Sequence, residues 1–515
     1  MISILWVDDE IELLKPHIIY LEGKGYSVLP LDNGNDALDI VSKNKFDLVF
    51  LDENMPGLSG LETLNLIKKS HPNLPIVMIT KNEEESIMEE AIGSKISDYL
   101  IKPVNPNQIL LSIKKNIDTN RLIEEKITRD YQIDFRNISL SLSSKLDQKG
   151  WIDIYKQIVY WELEIEKSND QGIEDILSMQ KIEANSQFFK FIQRNYRDWM
   201  INEESAPLLS HNLFRRRVSP LINDDAVTYF IVIDNLRYDQ WKIIEPIILK
   251  DFLVETDDLY YSILPTSTQY SRNSIFSGLL PLDIQNQFPK KWKNDEDPGG
   301  KNMYEEDFLV DQLRRLGKGS CKHSYTKITN LDVGKRTVSK IKNMQNNDIN
   351  VLVYNFVDML SHARTDMQVI KELADDDSAY RSLTLSWFMH SPLLEILKEI
   401  AKQKANIVIT TDHGTINVKK PAKIIGDKGV NSNLRYKQGK NLAYNDSDVF
   451  LIENPEDYYL PRQNVSSKYI FAKEDMYFVY QNNYNYFANL YRNTYQHGGI
   501  SLEEILIPIV TLKTK

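Results

Sequence analysis

The chain has 515 residues, a formal net charge of −11, and 42% hydrophobic against 26% charged residues. That balance describes a globular protein of about three or four domains. It excludes one that coats duplex nucleic acid, because such binding rests on Lys and Arg neutralising phosphates.

A small anionic substrate stays open, since bound cations supply positive charge locally. The single cysteine, Cys321, cannot form an internal disulfide, which predicts a reducing compartment. The opening MISILWVDDE has neither a basic segment nor a small-residue cleavage site. No window approaches the roughly eighteen apolar residues of a membrane span. The expected location is the cytoplasm, with no membrane insertion.

Residues 1–118 read as an α/β domain of alternating strands and helices. Apolar or β-branched runs at 2–7, 27–31, 47–51, 76–80 and 98–101 predict five strands. Amphipathic stretches such as 61–69 and 84–92 predict helices between them. Five β/α units of this length predict a flavodoxin-like parallel sheet covered on both faces, with functional groups at the carboxyl ends of the strands. Residues 119–217 change character. Trp151, Ile154, Tyr155, Ile158 and Trp161 recur at helical spacing, and Arg215-Arg216-Arg217 ahead of Pro220 marks the end of a helical bundle connector. From 218 to 515, α/β alternation returns on a larger scale, with strands predicted at 227–233, 349–355 and 405–410 and a closing strand at 505–512. The polar run 288–301 reads as a long surface loop, and a Tyr/Asn-rich stretch at 480–495 precedes His497.

The first candidate site lies in residues 1–118. Asp8 and Asp9 follow the first strand, Asp52 ends the third, Thr80 the fourth and Lys102 the fifth. The strand-end rule brings them to one sheet edge. Three carboxylates there suit an octahedral Mg²⁺. Thr80 can donate to a phosphoryl oxygen, and Lys102 supplies a point charge. The chemistry that fits is acyl phosphate formation on Asp52. A strand-end Asp taken alone is as readily a helix cap. Together, these residues resemble a response-regulator receiver domain. The resemblance implies Asp52 as phospho-acceptor, Asp8, Asp9, Asp52 and the Asn54 carbonyl as Mg²⁺ ligands, and Thr80, Tyr99 and Lys102 as switch residues. One departure is Lys81 after the switch threonine, where receivers usually carry a small residue.

The second candidate site is scattered over the last 300 residues or so. Asp234 ends one predicted strand, Asp358 follows another, and Asp412-His413-Gly414 follows a third. His362 stands four residues after Asp358, on the same face of a helix and so in a chelating position. His497 precedes Gly498-Gly499, and Thr268 follows a proline turn, with a helix expected from about Asn273. Carboxylates, neutral imidazoles and a hydroxyl are the donor set for two Zn²⁺-class ions and a metal-activated nucleophile. Singly, each motif is also an ordinary turn or cap. His17, His71, His211, His323 and His390 lack such a pattern and read as structural.

The order Asp, Thr, Asp-x-x-x-His, Asp-His-Gly, His resembles the alkaline phosphatase superfamily, and within it the PglZ branch fused to a receiver, as in PorX-like response regulators. This resemblance implies one Zn²⁺ on Asp358, His362 and His497, and another on Asp234, Asp412, His413 and Thr268. Thr268 becomes the nucleophile, Arg272 a holder of a non-bridging oxygen and Arg237 a weaker candidate for that role. A sulfatase would need Cys or Ser at the Thr268 position.

The resulting expectation is a response regulator phosphorylated by a sensor histidine kinase. Its effector is a zinc-dependent phosphodiesterase acting on cyclic or linear oligonucleotides, the protein homodimerises, and it controls type IX secretion. The rival is a catalytically weak zinc-stabilised scaffold that binds a sigma factor or secretion component. A DNA-binding output is disfavoured by the acidic chain and the long effector.

Overall fold

A computed structural model describes residues 2–81, 96–167, 171–223, 225–355, 376–426 and 433–515. The chain divides into two compact units, Met1–Asp134 with Lys167–Asp170 and Phe135–Glu166 with Gln171–Lys515. The helix expected at 84–92 lies outside the described residues. Among the described residues, no helix is long and apolar enough to cross a membrane.

In the first unit, β1 (Ser3–Val7), β2 (Ser27–Leu31), β3 (Leu48–Asp52), β4 (Ile76–Thr80) and β5 (Asp98–Ile101) form a parallel sheet in the order β2-β1-β3-β4-β5. Every residue of β3 and β4 is buried, as an apolar run between two helical layers requires. Alternation sorts the side chains: Trp6 and Phe50 enter one core, Val7 and Leu51 the other. The flanking helices α1 (Lys15–Glu22), α2 (Gly34–Lys43), α3 (Gly60–Ser70) and α4 (Pro106–Ile113) start on local signals. Asn33 caps α2, and reciprocal capping boxes open α3 (Ser59, Glu62) and α4 (Asn105, Gln108).

Three long helices follow: α5 (Thr119–Leu142), α6 (Gln148–Ile165) and α7 (Gln171–Ile201). Within the second unit, Trp151 of α6 meets Phe188 of α7 edge-on at 5.2 Å. Gln180 Nε2 of α7 donates to Phe135 O and Ser139 Oγ of α5, 3.0 Å each.

The same unit contains a six-stranded sheet built from β6 (Val227–Ile233), β7 (Phe252–Tyr261), β8 (His323–Ile328), β9 (Ile349–Tyr354), β10 (Ala405–Thr410) and β11 (Leu506–Thr514), in the order β7-β11-β10-β6-β9-β8. The run β10-β6-β9-β8 is parallel, and β11 pairs antiparallel with β10 and β7. Helices cover both faces. On one, Phe276 of α9 (Thr268–Ser277) packs edge-on against Phe230 and Tyr325. On the other, Tyr229 donates to Gln403, whose amide reaches Ile341 O in α11 (Leu331–Met344). The helix-bearing layer also includes α8 (Tyr238–Ile248), α10 (Glu305–Arg315), α12 (Asp377–Met389) and α13 (Pro392–Ile400). The chain is thus α/β, with a five-stranded doubly wound parallel sheet, a helical region and a larger α/β domain.

One local reading changes. Helix α9 begins at Thr268 itself, not near Asn273, because extended Ser267 takes the N-cap position. The run 288–301 is a surface loop with no helix or strand, anchored at one residue. Its Trp292 is 4% exposed and meets Tyr270 of α9 edge-on at 5.6 Å.

Candidate functional site

At the carboxyl edge of the receiver sheet, Asp8, Asp9 and Asp52 offer carboxylate oxygens within 4.8 Å of one another, a fit for a hard divalent cation. Lys102 Nζ bridges Asp8 (2.8 Å) and Asp52 (3.0 Å). Asp52 is 2% exposed. Burial pushes its carboxyl up to about 6, Asp8 adds to the rise, and Lys102 opposes it. Thr80 is buried at the end of β4, and Tyr99 and Asn54 are exposed. Lys81 turns outward to Glu10 at 2.8 Å.

In the larger domain, β6 and β10 are adjacent and parallel, so the residues just beyond them meet. After β6 the chain turns at Asn235 with φ 63°, a left-handed conformation that Asn tolerates. Asn235 N–H then donates to Asp412 Oδ1 at 3.2 Å, and Leu236 N–H to Thr411 Oγ1 at 3.0 Å. Asp234, Asp412 and His413, all buried, bring their donor atoms within 4.8 Å of one another. Asp412 Oδ2 is buried without a hydrogen-bond partner; His413 Nε2 lies 3.8 Å away and the Arg272 guanidinium, through Nη1, 3.9 Å away. A buried carboxylate oxygen left open beside an imidazole fits a cation ligand.

Imidazole tautomers fit the same use. His413 Nδ1 lies 3.0 Å from Gly414 O, which can only accept, so Nδ1 carries the hydrogen and Nε2 the lone pair. His497 Nδ1 faces Thr266 O at 3.2 Å in the same way. Burial holds His413 below its ordinary range, keeping the ring neutral, although Asp234 works the other way. Burial acts to raise Asp234, but Arg272 and His413 outweigh it and hold that carboxyl low; burial and the facing Asp234 push Asp412 well up.

Thr268 opens α9 with Oγ1 3.1 Å from His413 Nε2 and 3.3 Å from Asp234 Oδ1. Ser267, at the N-cap, makes no capping bond, and its buried Oγ has no partner. The first N–H groups of the helix therefore face an uncapped end, the arrangement that receives an anion. Thr268, Ser267, His497, Lys301, Asn302 and Tyr436 line a cleft of about 250 Å³.

Two arginines are placed differently from expectation. Arg272 does not line this cleft. It is buried, with Nη1 2.7 Å from Asp234 Oδ2 and Nε on Glu305, so it anchors the Asp234 carboxylate. Arg237 is buried between Asp239 and Asp377, against the rings of Tyr380 and Tyr495. Asp358 and His362 lie outside the described residues. Sequence reasoning missed Ser267, Lys301, Asn302, Tyr436 and Glu305, for which no motif spacing gave a signal.

Residues 4–114 match the response regulator receiver domain family, 121–200 the PorX response regulator linker domain, and 213–512 the BREX system PglZ alkaline phosphatase-like domain. Over 127 residues, the chain is 35% identical to the transcriptional regulatory protein ZraR of Klebsiella oxytoca, covering 25% of this chain and 29% of that one. Over 112 residues it is 32% identical to ResD of Bacillus subtilis, covering 22% and 46%. It thus spans less than half the length of these curated relatives. Among solved structures, a receiver domain protein from Clostridium thermocellum is 30% identical with a TM-score of 0.23, covering 24% of this chain and 98% of that chain. The chemotaxis protein CheY4 of Vibrio cholerae is 28% identical with a TM-score of 0.22, covering 22% and 98%. The chain belongs to the PglZ alkaline phosphatase-like family, and it carries a response-regulator receiver and a PorX-type linker ahead of that domain.

Proposed function

We propose that the chain is a two-component response regulator whose effector is a zinc-dependent phosphodiesterase acting on nucleotide substrates. One observation supports this most directly: the Thr268 hydroxyl stands at an uncapped helix N-terminus, 3.1 Å from His413 Nε2 and 3.3 Å from Asp234 Oδ1. Asp234, Asp412 and His413 would hold one zinc. On the family resemblance, His497 with Asp358 and His362 would hold the other. Bound zinc supplies Lewis acidity that lowers the pKa of a hydroxyl and steadies charge on phosphoryl oxygens.

The chain's own groups do the rest. Thr268 Oγ1 attacks phosphorus in line, releasing its proton toward Asp234 Oδ1, while the ester P–O bond on the opposite side breaks and the leaving oxygen departs as the alcohol after taking a proton from water. The leading N–H groups of α9 and Ser267 Oγ receive the non-bridging oxygens. Arg272 keeps Asp234 ionised and aimed. Water then displaces Thr268 from phosphorus.

On the receiver side, a sensor histidine kinase phosphorylates Asp52, with Mg²⁺ held by Asp8, Asp9, Asp52 and the Asn54 carbonyl. Thr80, Lys102 and Tyr99 carry the switch, and the phosphorylated protein homodimerises. Control of type IX secretion is inferred from the resemblance to PorX-like regulators.

The test is turnover of bis-p-nitrophenyl phosphate with and without zinc. The reading expects zinc-dependent activity that Thr268→Val removes. Bound zinc with no turnover that depends on Thr268 overturns it and favours the scaffold.

A further inference from the structure

The charges around the Thr268 cleft do not balance in the same way at every cation. Arg272 is matched by Asp234 and Glu305, and Lys327 by Glu305 at 3.1 Å. Lys301 differs. Its Nζ donates to Asn294 O at 2.5 Å and to Asp297 O, both neutral carbonyls. Among the described residues, no carboxylate pairs with it. The two carbonyls fix the ammonium in place and leave its full charge, with one N–H to spare.

Other polar groups of the cleft wall are already committed inside the protein. Asn302 Nδ2 donates to Thr268 O and Asn273 Oδ1, Gln269 Nε2 to Lys293 O, and Tyr436 OH to Asp295. The wall is therefore pinned to α9 at Thr268, Gln269 and Asn273 and does not form a swinging lid; Asn273 Nδ2 also donates to Lys301 O at 3.2 Å. At the scissile position, the negative charge already meets the helix N-terminus and the Asp234–Asp412–His413 cation site. Lys301 lines the same cleft and carries a separate point charge held by the 294–297 turn at its wall.

We propose that Lys301 receives a second phosphate of the substrate, neighbouring the scissile one. The preferred substrate is then an oligonucleotide carrying at least two phosphates, not an isolated diester. This rests on the phosphodiester reading of the Thr268 site, and a compact ammonium is well suited to the task because it meets phosphate as a point charge.

The experiment measures binding, not turnover. Full-length protein carrying Thr268→Val, purified with zinc, is titrated calorimetrically with the dinucleotide d(ApA) bearing a 5′-phosphate, a 3′-phosphate or neither. One phosphorylated form is expected to bind about tenfold tighter than the bare dinucleotide, a difference that Lys301→Gln erases. Bare d(ApA) keeps its affinity in that variant. If neither phosphate tightens binding, or if Lys301→Gln weakens all three ligands alike, Lys301 merely holds the 294–297 turn and the proposal falls. Phosphate-selective binding by a protein that hydrolyses no diester would leave the Lys301 subsite standing and sink only the catalytic reading.

Discussion

His413 and His497 stack face to face, ring centroids 4.2 Å apart and planes 21° from parallel. One residue, Glu504, ties both of their turns. Its carbonyl accepts Gly414 N–H at 3.2 Å, and its carboxylate accepts Gly499 N–H at 2.8 Å. Arg435, 0% exposed, and Ser501 Oγ also donate to the carboxylate, at 2.6 Å and 2.8 Å. Glu504→Ala strands a buried guanidinium and frees the His497 turn. The variant should lose on the order of 3 kcal/mol in urea unfolding. Its zinc affinity should fall as well. A stability change under about 1 kcal/mol, with zinc content intact, would show that the turn holds without it.

Asp412 should trade stability for metal. Its Oδ2 is buried and unpartnered, and it faces a second carboxylate at Asp234. Asp412→Asn removes that repulsion while keeping the shape. The metal-free variant should be more stable than the parent by about 1 kcal/mol at pH 8. Added zinc should raise the melting temperature of the parent only. A variant that keeps the parent's zinc-induced shift would refute the ligand assignment.

Lys437 sets a pH dependence. It is 1% exposed, with Nζ 4.8 Å from the centre of the Tyr480 ring. Burial brings its ammonium down from 10.5 to about 7, against a smaller pull from Asp295. Between those two values the unfolded chain binds more protons than the folded one, so this group makes stability rise with pH across the window. Lys437→Met should be more stable than the parent by about 2 kcal/mol at pH 7. That advantage should shrink toward pH 10. A gap that stays constant from pH 7 to 10 would contradict the assignment.

Lys181 joins α7 to the effector, with Nζ 2.7 Å from Glu162, 3.0 Å from Glu503 and 3.4 Å from Asp377. Lys181→Met leaves these carboxylates short of a cation. It should destabilise the protein by about 3 kcal/mol. Adding Glu503→Gln should recover part of that loss, and a double variant no better than the single one would argue against a shared network.

Sequence was most informative where strands end in acids. The runs before Asp52 and Asp234 are β-branched or apolar throughout, the run before Asp412 is so from Ile407 on, and a parallel sheet gathers the residues at the ends of such runs along one edge. It was least informative where a residue's role depends on a distant partner. Nothing around Arg272 distinguishes a phosphate clamp from an anchor, because Glu305 lies 33 positions away. Glu503 and Glu504 are adjacent and chemically alike, yet one meets Lys181 and the other Arg435. The start of α9 was misread because Ser267 sits at the N-cap without making a capping bond.

Asp377 touches three parts of the chain at once: Arg237, just after Asp234, at 2.7 Å; the Tyr495 hydroxyl, two positions before His497, at 2.7 Å; and Lys181 of α7. Thermodynamic reciprocity then applies. Any tilt of α7 that draws Lys181 off Asp377 and lowers cation affinity by some factor is itself opposed, by that same factor, once the cation is in place. On the zinc reading proposed above, metal supply would set how much work it takes to tilt α7.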